Sequence, residues 1–342
     1  MEKTMIKLSI IIAYYNAERY IKGLLDELLD QGFTENEFEI IVVDDESTHS
    51  IDVLKDYCAI HHNVKYVWQK NARQSAARNH GISLAQGEYL FFCDNDDKVN
   101  RGVLRHIYDV AHTNGLEMLF FNRLIVGEHE TPPLPHQNFE LDNAVCTGQQ
   151  YLGTHLDIST GPWHYIIKRD FVEKYHLRFP DGIIYCEDVD FLANASAVAN
   201  KVSYVDVDVY YWVQRPKSIS HYTGKKKMSE KYIGDMIWNV EQRKKQIENT
   251  SNLFPEFVHW VELNNQTIVF AIVHNAFRYL PVAKNAEILD RLEALGEYPV
   301  KREQYKDNIL YSIIIFLMNQ KCLWLRLCSF FQMLPESIKL KV

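Results

Sequence analysis

From Leu8 onward, short apolar runs alternate with longer stretches whose apolar residues recur at helical spacing. Leu8 to Ala13, Glu39 to Asp45, Val64 to Gln69, Glu88 to Cys93 and Met118 to Val126 read as strands. Ala17 to Gln31, Ile51 to His61, Ser75 to Ala85 and Gly102 to Thr113 read as helices. This βα repeat predicts an α/β fold with a mostly parallel sheet flanked by helices. Ligands of such sheets bind beyond the carboxyl ends of the strands. Three of those ends are Ala13-Tyr-Tyr-Asn16, Asp44-Asp-Glu-Ser-Thr48 and Asp94-Asn-Asp-Asp97, so aromatic and acidic side chains gather on one rim.

Beyond Val126 the pattern changes. A polar segment containing Pro132-Pro-Leu-Pro135 and running to about Asn143 predicts a loop. From Gly148 to Tyr211 the chain predicts a helix near Gln149 to Leu156, the segment Gly161-Pro-Trp-His164 and a short helix at Asp170 to Tyr175. A helix opened by Glu187-Asp-Val-Asp-Phe191 and ending at Ala199 follows, then strands through Val202 to Val213. Lys227 to Ile247, Val258 to Tyr279 and Ala283 to Leu295 carry apolar residues at helical spacing without a catalytic cluster, which predicts a C-terminal helical extension. Ile309 to Met318 is apolar apart from Ser312, yet as a helix it reaches only about 15 Å, half a hydrocarbon core of roughly 30 Å. Leu323, Trp324, Leu327, Phe330, Phe331 and Leu334 then share one face opposite Arg326, Ser329 and Gln332, with Lys321, Lys339 and Lys341 at the edges. A helix lying in a membrane interface fits residues 309–334, and so does one docked on its own domain or on a second subunit.

Chemistry concentrates after the Glu88 strand. Asp94, Asp96 and Asp97 repel one another unless water or a hard cation neutralises them, and one or two carboxylates are how Mg²⁺ or Mn²⁺ is held beside a diphosphate. A solvated helix start is the other reading of that turn. Glu187 and Asp188 fall in the first turn of their helix, where the dipole favours carboxylates, as a capping pair or as a general base held ionised. Among the 14 glycines no two lie two positions apart, so neither a G-x-G-x-x-G loop nor a G-x-x-x-x-G-K-[ST] cradle is available for phosphate. With 37 basic and 45 acidic residues, a net charge of −8 argues against a nucleic-acid binder. The six cysteines form no C-x-x-C pair and suggest reduced thiols; with no secretory leader pattern, a cytoplasmic location is expected.

Six ordered segments together resemble the inverting family-2 glycosyltransferases with the GT-A fold. They are Ser9-Ile-Ile-Ile-Ala-Tyr-Tyr-Asn16 with Tyr20, Val42-Val-Asp-Asp-Glu-Ser-Thr48, Asn71-Ala-Arg-Gln-Ser-Ala-Ala-Arg-Asn-His-Gly81, Gly87 to Asp97, Pro162-Trp163, and Phe179-Pro-Asp-Gly182 followed by Glu187 to Phe191. The resemblance implies a catalytic domain over residues 1–221, with a nucleotide-sugar half at about 1–126 and an acceptor half at about 148–221. Residues 222–342 fall outside it.

The resemblance also implies roles. Asp45 would accept the N3 hydrogen of uracil, Tyr15 would stack near the base, Ala13 would give a backbone contact, and Arg78 would face the base or the diphosphate. Asp94 would lie near the ribose, while Asp96 with Asp97 would bind Mn²⁺ or Mg²⁺. Asp188 would deprotonate the acceptor hydroxyl beside Glu187, and Trp163 would form part of the acceptor wall. Arg215 or His221, in a segment resembling the family's closing strand, would reach the diphosphate or metal. The expected activity is metal-assisted single displacement from a UDP-sugar to a glycan or lipid-linked acceptor, on the cytoplasmic membrane face, in surface-glycan synthesis. The alternatives are a catalytically silent scaffold subunit and a nucleotidyltransferase. Ala13 and Glu46 replace the family's usual proline and glycine. A glutamate at the second position takes positive φ only at a cost, so a different turn is expected after Asp45.

Overall fold

The computed structural model describes residues 5–142, 144–215, 230–301 and 308–333. The chain divides into two compact units, Met1–Thr223 and Gly224–Val342.

The first unit is built on a nine-stranded mixed sheet. Strands β1 (Leu8–Tyr14), β2 (Phe38–Asp45), β3 (Val64–Gln69) and β4 (Tyr89–Asp94) are joined by helices α1 (Ile21–Leu28), α2 (Asp52–Ile60) and α3 (Arg73–Leu84). They pair in parallel in the spatial order β3-β2-β1-β4. Almost every residue of β1, β2 and β4 is buried, as strands covered on both faces require. Gly87 permits the tight entry to β4, because a Cβ there would strike the Leu8 and Ser9 backbone.

Strand β5 (Lys98–Val99) and helix α4 (Leu104–Asn114) lead to β6 (Met118–Gly127), β7 (Gln137–Leu141), α5 (Gly148–Thr154), a 3₁₀ turn at Pro162–His164, β8 (Tyr165–Lys168), α6 (Arg169–Lys174), α7 (Glu187–Val198) and the 13-residue β9 (Val202–Gln214). The sheet continues β4-β8-β6-β9-β5, with β8 antiparallel to both β4 and β6 and with β6 parallel to β9. Three strands depart from the sequence expectation. The segment expected to be a loop up to about residue 143 contains β7, which pairs antiparallel with β9. Its Gln-Asn-Phe-Glu-Leu sequence is polar because little of it is covered. Four-residue β8 and two-residue β5 are too short to carry a periodicity, and their strand character comes from neighbours far away in sequence.

In the second unit, α8 (Glu230–Asn249), α9 (Pro255–Tyr279), α10 (Val282–Ala294), α11 (Ile309–Met318) and α12 (Lys321–Met333) follow the expected helices. Helix α9 is central and buries Phe257, Trp260, Val261, Ile268, Val269, Ile272 and Val273. Trp324 and Phe331 of α12 pack on Phe277 of α9, so part of the apolar face docks on its own unit, one of the placements the sequence allowed, while Leu323 and Phe330 are left exposed. Ile309, Leu310, Ile313 and Phe316 of α11 are exposed too. Among the described residues no single helix is long and apolar enough to cross a membrane; α11 and α12 meet at 99°. His221, Lys227, Leu334, Lys339 and Lys341, which figured in the sequence expectations, lie outside the described residues.

Candidate active site

The carboxyl ends of β1, β2 and β4 open onto a cavity of about 510 Å³. Parallel register sets Ala13 beside Asp94 and Tyr14 beside Asp44. Ala13, Tyr15, Asp45, Arg78, Asp94, Asp96, Asp97, Trp163, Glu187 and Asp188 all line this one hollow, although they come from segments as far apart as β1 and α7. Residues that sequence reasoning missed also line it: Gln74, Asn95, Ile184, Tyr185, Cys186 and Trp212. Of these, Trp212 had a sequence signal, in the aromatic run Tyr210-Tyr-Trp212.

Asp45 holds the turn into α3. It accepts Gln69 Nε2 and the Ala72 and Arg73 backbone N–H groups, each at 2.8 Å. The last two are amides that a helix start leaves without partners. A carboxylate has about four acceptor positions, so three bonds leave one for a ligand. The turn itself departs from expectation. Glu46 does adopt left-handed backbone, at φ +64°, so the geometry that a glycine would give is kept. Asn16, Arg73 and Cys186 share positive φ, and all four lie within one residue of the cavity lining. Such conformations cost about 1 kcal/mol or more each and collect at functional sites.

Arg78 joins two sides of the cavity. It is buried on α3, with Nη2 2.9 Å from Asp94 Oδ1 and Nη1 3.0 Å from Glu187 Oε1. Burial alone would favour the neutral guanidine, but Asp94 and Glu187 outweigh it and the side chain stays charged. Gln74 donates to the same Glu187 oxygen. Burial, together with the adjacent Asp188, raises Glu187. Burial also lifts Asp188 above the usual carboxylate range, against the pull of Arg78. The helix start therefore does not hold the pair as strongly ionised as the sequence suggested, because desolvation outweighs the dipole.

The carboxylates after β4 divide. Asp97 is buried and fixed from β9: the Tyr210 hydroxyl donates to Oδ2 at 2.8 Å and the Val213 N–H to Oδ1 at 2.8 Å. Tyr210 also accepts the Asp94 N–H at 3.1 Å, so one phenol sets the turn. Asp96 faces the cavity, with Arg215 Nη1 3.1 Å from its Oδ2. Burial and then Asp94 raise Asp96, and burial, Asp94 and Asp96 raise Asp97 well above its ordinary value. Such mutual repulsion is what a bound cation relieves. No cluster of three or more His, Cys, Asp or Glu with metal-binding geometry occurs among the described residues. The donor set fits Mg²⁺ or Mn²⁺ held by one or two carboxylates and completed by phosphate oxygens and water, not an all-protein cage. Asp96 and Asp94 are the partly exposed carboxylates, while buried Asp97 frames them.

The opposite wall is aromatic. Trp163 is buried against Tyr210, with ring centroids 4.9 Å apart at 4°, and lies 6.3 Å from Trp212. Its neighbour His164 is buried neutral, pushed down to about 4 by desolvation.

A mixed sheet whose parallel half, β3-β2-β1-β4, carries this cavity at its strand ends is the architecture of the GT-A glycosyltransferases. The solved structure of Staphylococcus aureus TarS residues 1–349 with UDP-GlcNAc superposes with a TM-score of 0.64, covering 96% of this chain and 92% of that one at 19% identity, a likeness of fold. Residues 9–186, just over half the chain, match glycosyl transferase family 2, and the chain belongs to that family. Among its relatives are the uncharacterized glycosyltransferase EpsJ of Bacillus subtilis, 29% identical over 65% of each chain, and a poly(ribitol-phosphate) beta-glucosyltransferase of Bacillus spizizenii. The latter is 30% identical over 61% of this chain and 32% of its own length. The chain thus matches less than two thirds of either relative's length.

Proposed function

We propose that the protein transfers a sugar from a nucleotide-sugar, a UDP-sugar in the first instance, to an acceptor hydroxyl during surface-glycan synthesis. The observation that carries this is the convergence of Asp45, Arg78, Asp94, Asp96 and Asp188 on one cavity at the strand ends. Asp45 receives the base through its remaining acceptor position, with the exposed ring of Tyr15 beside it. Asp94 meets the ribose. Asp96, with Asp94 next to it, would hold a divalent cation, which would supply Lewis-acid stabilisation of the charge on the departing diphosphate. Asp188 takes the proton of the attacking hydroxyl, and Arg78, through its bond to Glu187, keeps the first turn of α7 oriented toward the donor. Attack on the face opposite the leaving group gives inversion in a single displacement. Lipid-linked acceptors suit the exposed apolar side chains of α11 and α12, which we place against the cytoplasmic membrane face.

The test joins binding to turnover. Mn²⁺-dependent thermal stabilisation by UDP is expected, since a ligand selective for the folded state raises the melting temperature. Asp188→Asn should keep that stabilisation and lose roughly 10²-fold or more of transfer. Unchanged transfer by the variant, or no response of the wild type to any nucleoside diphosphate, overturns the reading.

A further inference from the structure

Arg123 of β6 sits opposite Tyr210 of β9, just past a break in register at Asn122. Its guanidinium carbon lies 5.6 Å from the Trp163 ring centre and 5.2 Å from that of Trp212, and both indoles line the cavity. Two other arginines of this unit are matched by carboxylates: Arg78, which lines the cavity, by Asp94 and Glu187, and Arg215 by Asp96. Arg123 is not. Its guanidinium makes no hydrogen bond or ion pair that places it against an acid among the described residues. The acids of the adjoining strand are engaged elsewhere, Asp206 with Asn122 and His136, Asp208 with the His136 backbone N–H. Desolvation is accordingly the influence that moves its pKa, downward, with no carboxylate opposing it. His164, its ionisable neighbour, is neutral.

A half-buried cation without a counter-ion is costly, and an aliphatic side chain would pack on the two indoles as well. A guanidinium stacked on aromatic faces, by contrast, presents a rigid donor fork suited to phosphate or carboxylate. Its place in the sheet says which substrate brings the anion. Asp45 ends β2, and the order β2-β1-β4-β8-β6 puts Arg123 four strands away, about 19 Å at the usual strand spacing. That is the acceptor side, beyond Asp94 of β4.

We propose that Arg123, stacked on Trp163 and Trp212, binds an oxyanion carried by the acceptor, a phosphate ester or a carboxylate of the growing glycan. This rests on the transferase reading of the same cavity and specifies its acceptor as an anionic glycan.

The experiment measures binding to the full chain saturated with UDP and Mn²⁺, so that the donor site is filled. The probes are a glycerol-phosphate oligomer, a glucuronate oligomer and a neutral glucose oligomer. The wild type should bind at least one anionic oligomer more tightly than the neutral one, and which of the two it prefers separates phosphate from carboxylate. Arg123→Gln should weaken that preferred anion tenfold or more and abolish the preference over the neutral oligomer, while Arg123→Lys should keep part of it. Should Arg123→Gln fold poorly, Arg123→Lys and the salt dependence of the wild type carry the same comparison, with affinity falling as salt rises. Equal wild-type affinity for charged and neutral oligomers, or undiminished anion preference in Arg123→Gln, overturns the proposal. Failure of the wild type to bind UDP would instead sink the transferase reading, and is seen in the preceding step.

Discussion

Arg215 Nη1 lies 3.1 Å from Asp96 Oδ2, so the end of β9 is tied to the carboxylate turn after β4 by an ion pair at the mouth of the cavity. The same guanidinium lies 4.3 Å from the Tyr20 ring centre, 4.0 Å from Asp97 and 3.7 Å from Glu128. An internal cation therefore offsets part of the repulsion among Asp94, Asp96 and Asp97. A metal held at Asp96 would have to share that carboxylate with Arg215 or displace it.

Asp96 and Asp97 should separate experimentally. Asp96→Ala is expected to remove the Mn²⁺ dependence of UDP stabilisation while changing the denaturation midpoint little. Asp97→Ala leaves the Tyr210 hydroxyl and the Val213 N–H without their acceptors and should cost about 1–3 kcal/mol in denaturant unfolding. Equal loss of metal response in both variants with no loss of stability would contradict this division.

The pH profile of transfer carries the mark of Asp188. Its folded pKa is raised by burial, and the base works ionised, so activity is full above that pKa and declines as pH falls through it. The acid limb should lie above the ordinary carboxylate range. Arg78 opposes the rise, so Arg78→Met should move the limb further up. Stability runs in the opposite sense. A raised carboxyl pKa favours the folded state fully below the unfolded value, and that contribution is lost as pH climbs through the folded one. Glu187→Gln should flatten this part of the slope when denaturation midpoints are compared across pH.

Glu46→Gly should stabilise the chain by a few tenths to about 1 kcal/mol. The left-handed backbone at φ +64° suits glycine, and the gain is reduced by the greater freedom of glycine in the unfolded chain. Denaturant melts would show the effect. A loss of stability would mean that the Glu46 side chain, which accepts the Asn71 N–H at 3.2 Å, matters more than the strain.

Residues 309–333 contain Lys321 and Arg326 but no Asp or Glu, in a chain whose net charge is −8. If the exposed face of α11 meets lipid, the protein should sediment with vesicles containing anionic phospholipid. Phe316→Asp combined with Ile313→Asp should release it without lowering the melting temperature, because both side chains are exposed. Retention of the double variant on vesicles would count against a lipid-facing α11.

Much of the framework was legible along the chain. Apolar runs marked β1, β2 and β4, because a strand buried on both faces must be apolar throughout, and the half-buried β3 and β6 kept enough apolar residues to read as strands. The carboxylates at their ends stood out because charge at such positions is costly without a reason. Local composition also announced the helices of the second unit, since a buried stripe recurs every three to four residues wherever the partner lies.

Other features arose only when distant segments met. Polar β7 and four-residue β8 became strands by pairing with β9, and with β4 and β6. The sequence presented Asp96 and Asp97 as equals. It was Tyr210 and Val213, more than a hundred residues away, that turned one into the frame and left the other facing the cavity. Arg78 and Arg215 fall in segments that the resemblance singled out, whereas nothing in the neighbourhood of Arg123 marks it. A side chain's burial is written largely in its local pattern, but the charges it meets depend on the order of the strands, which is settled by the whole sheet at once.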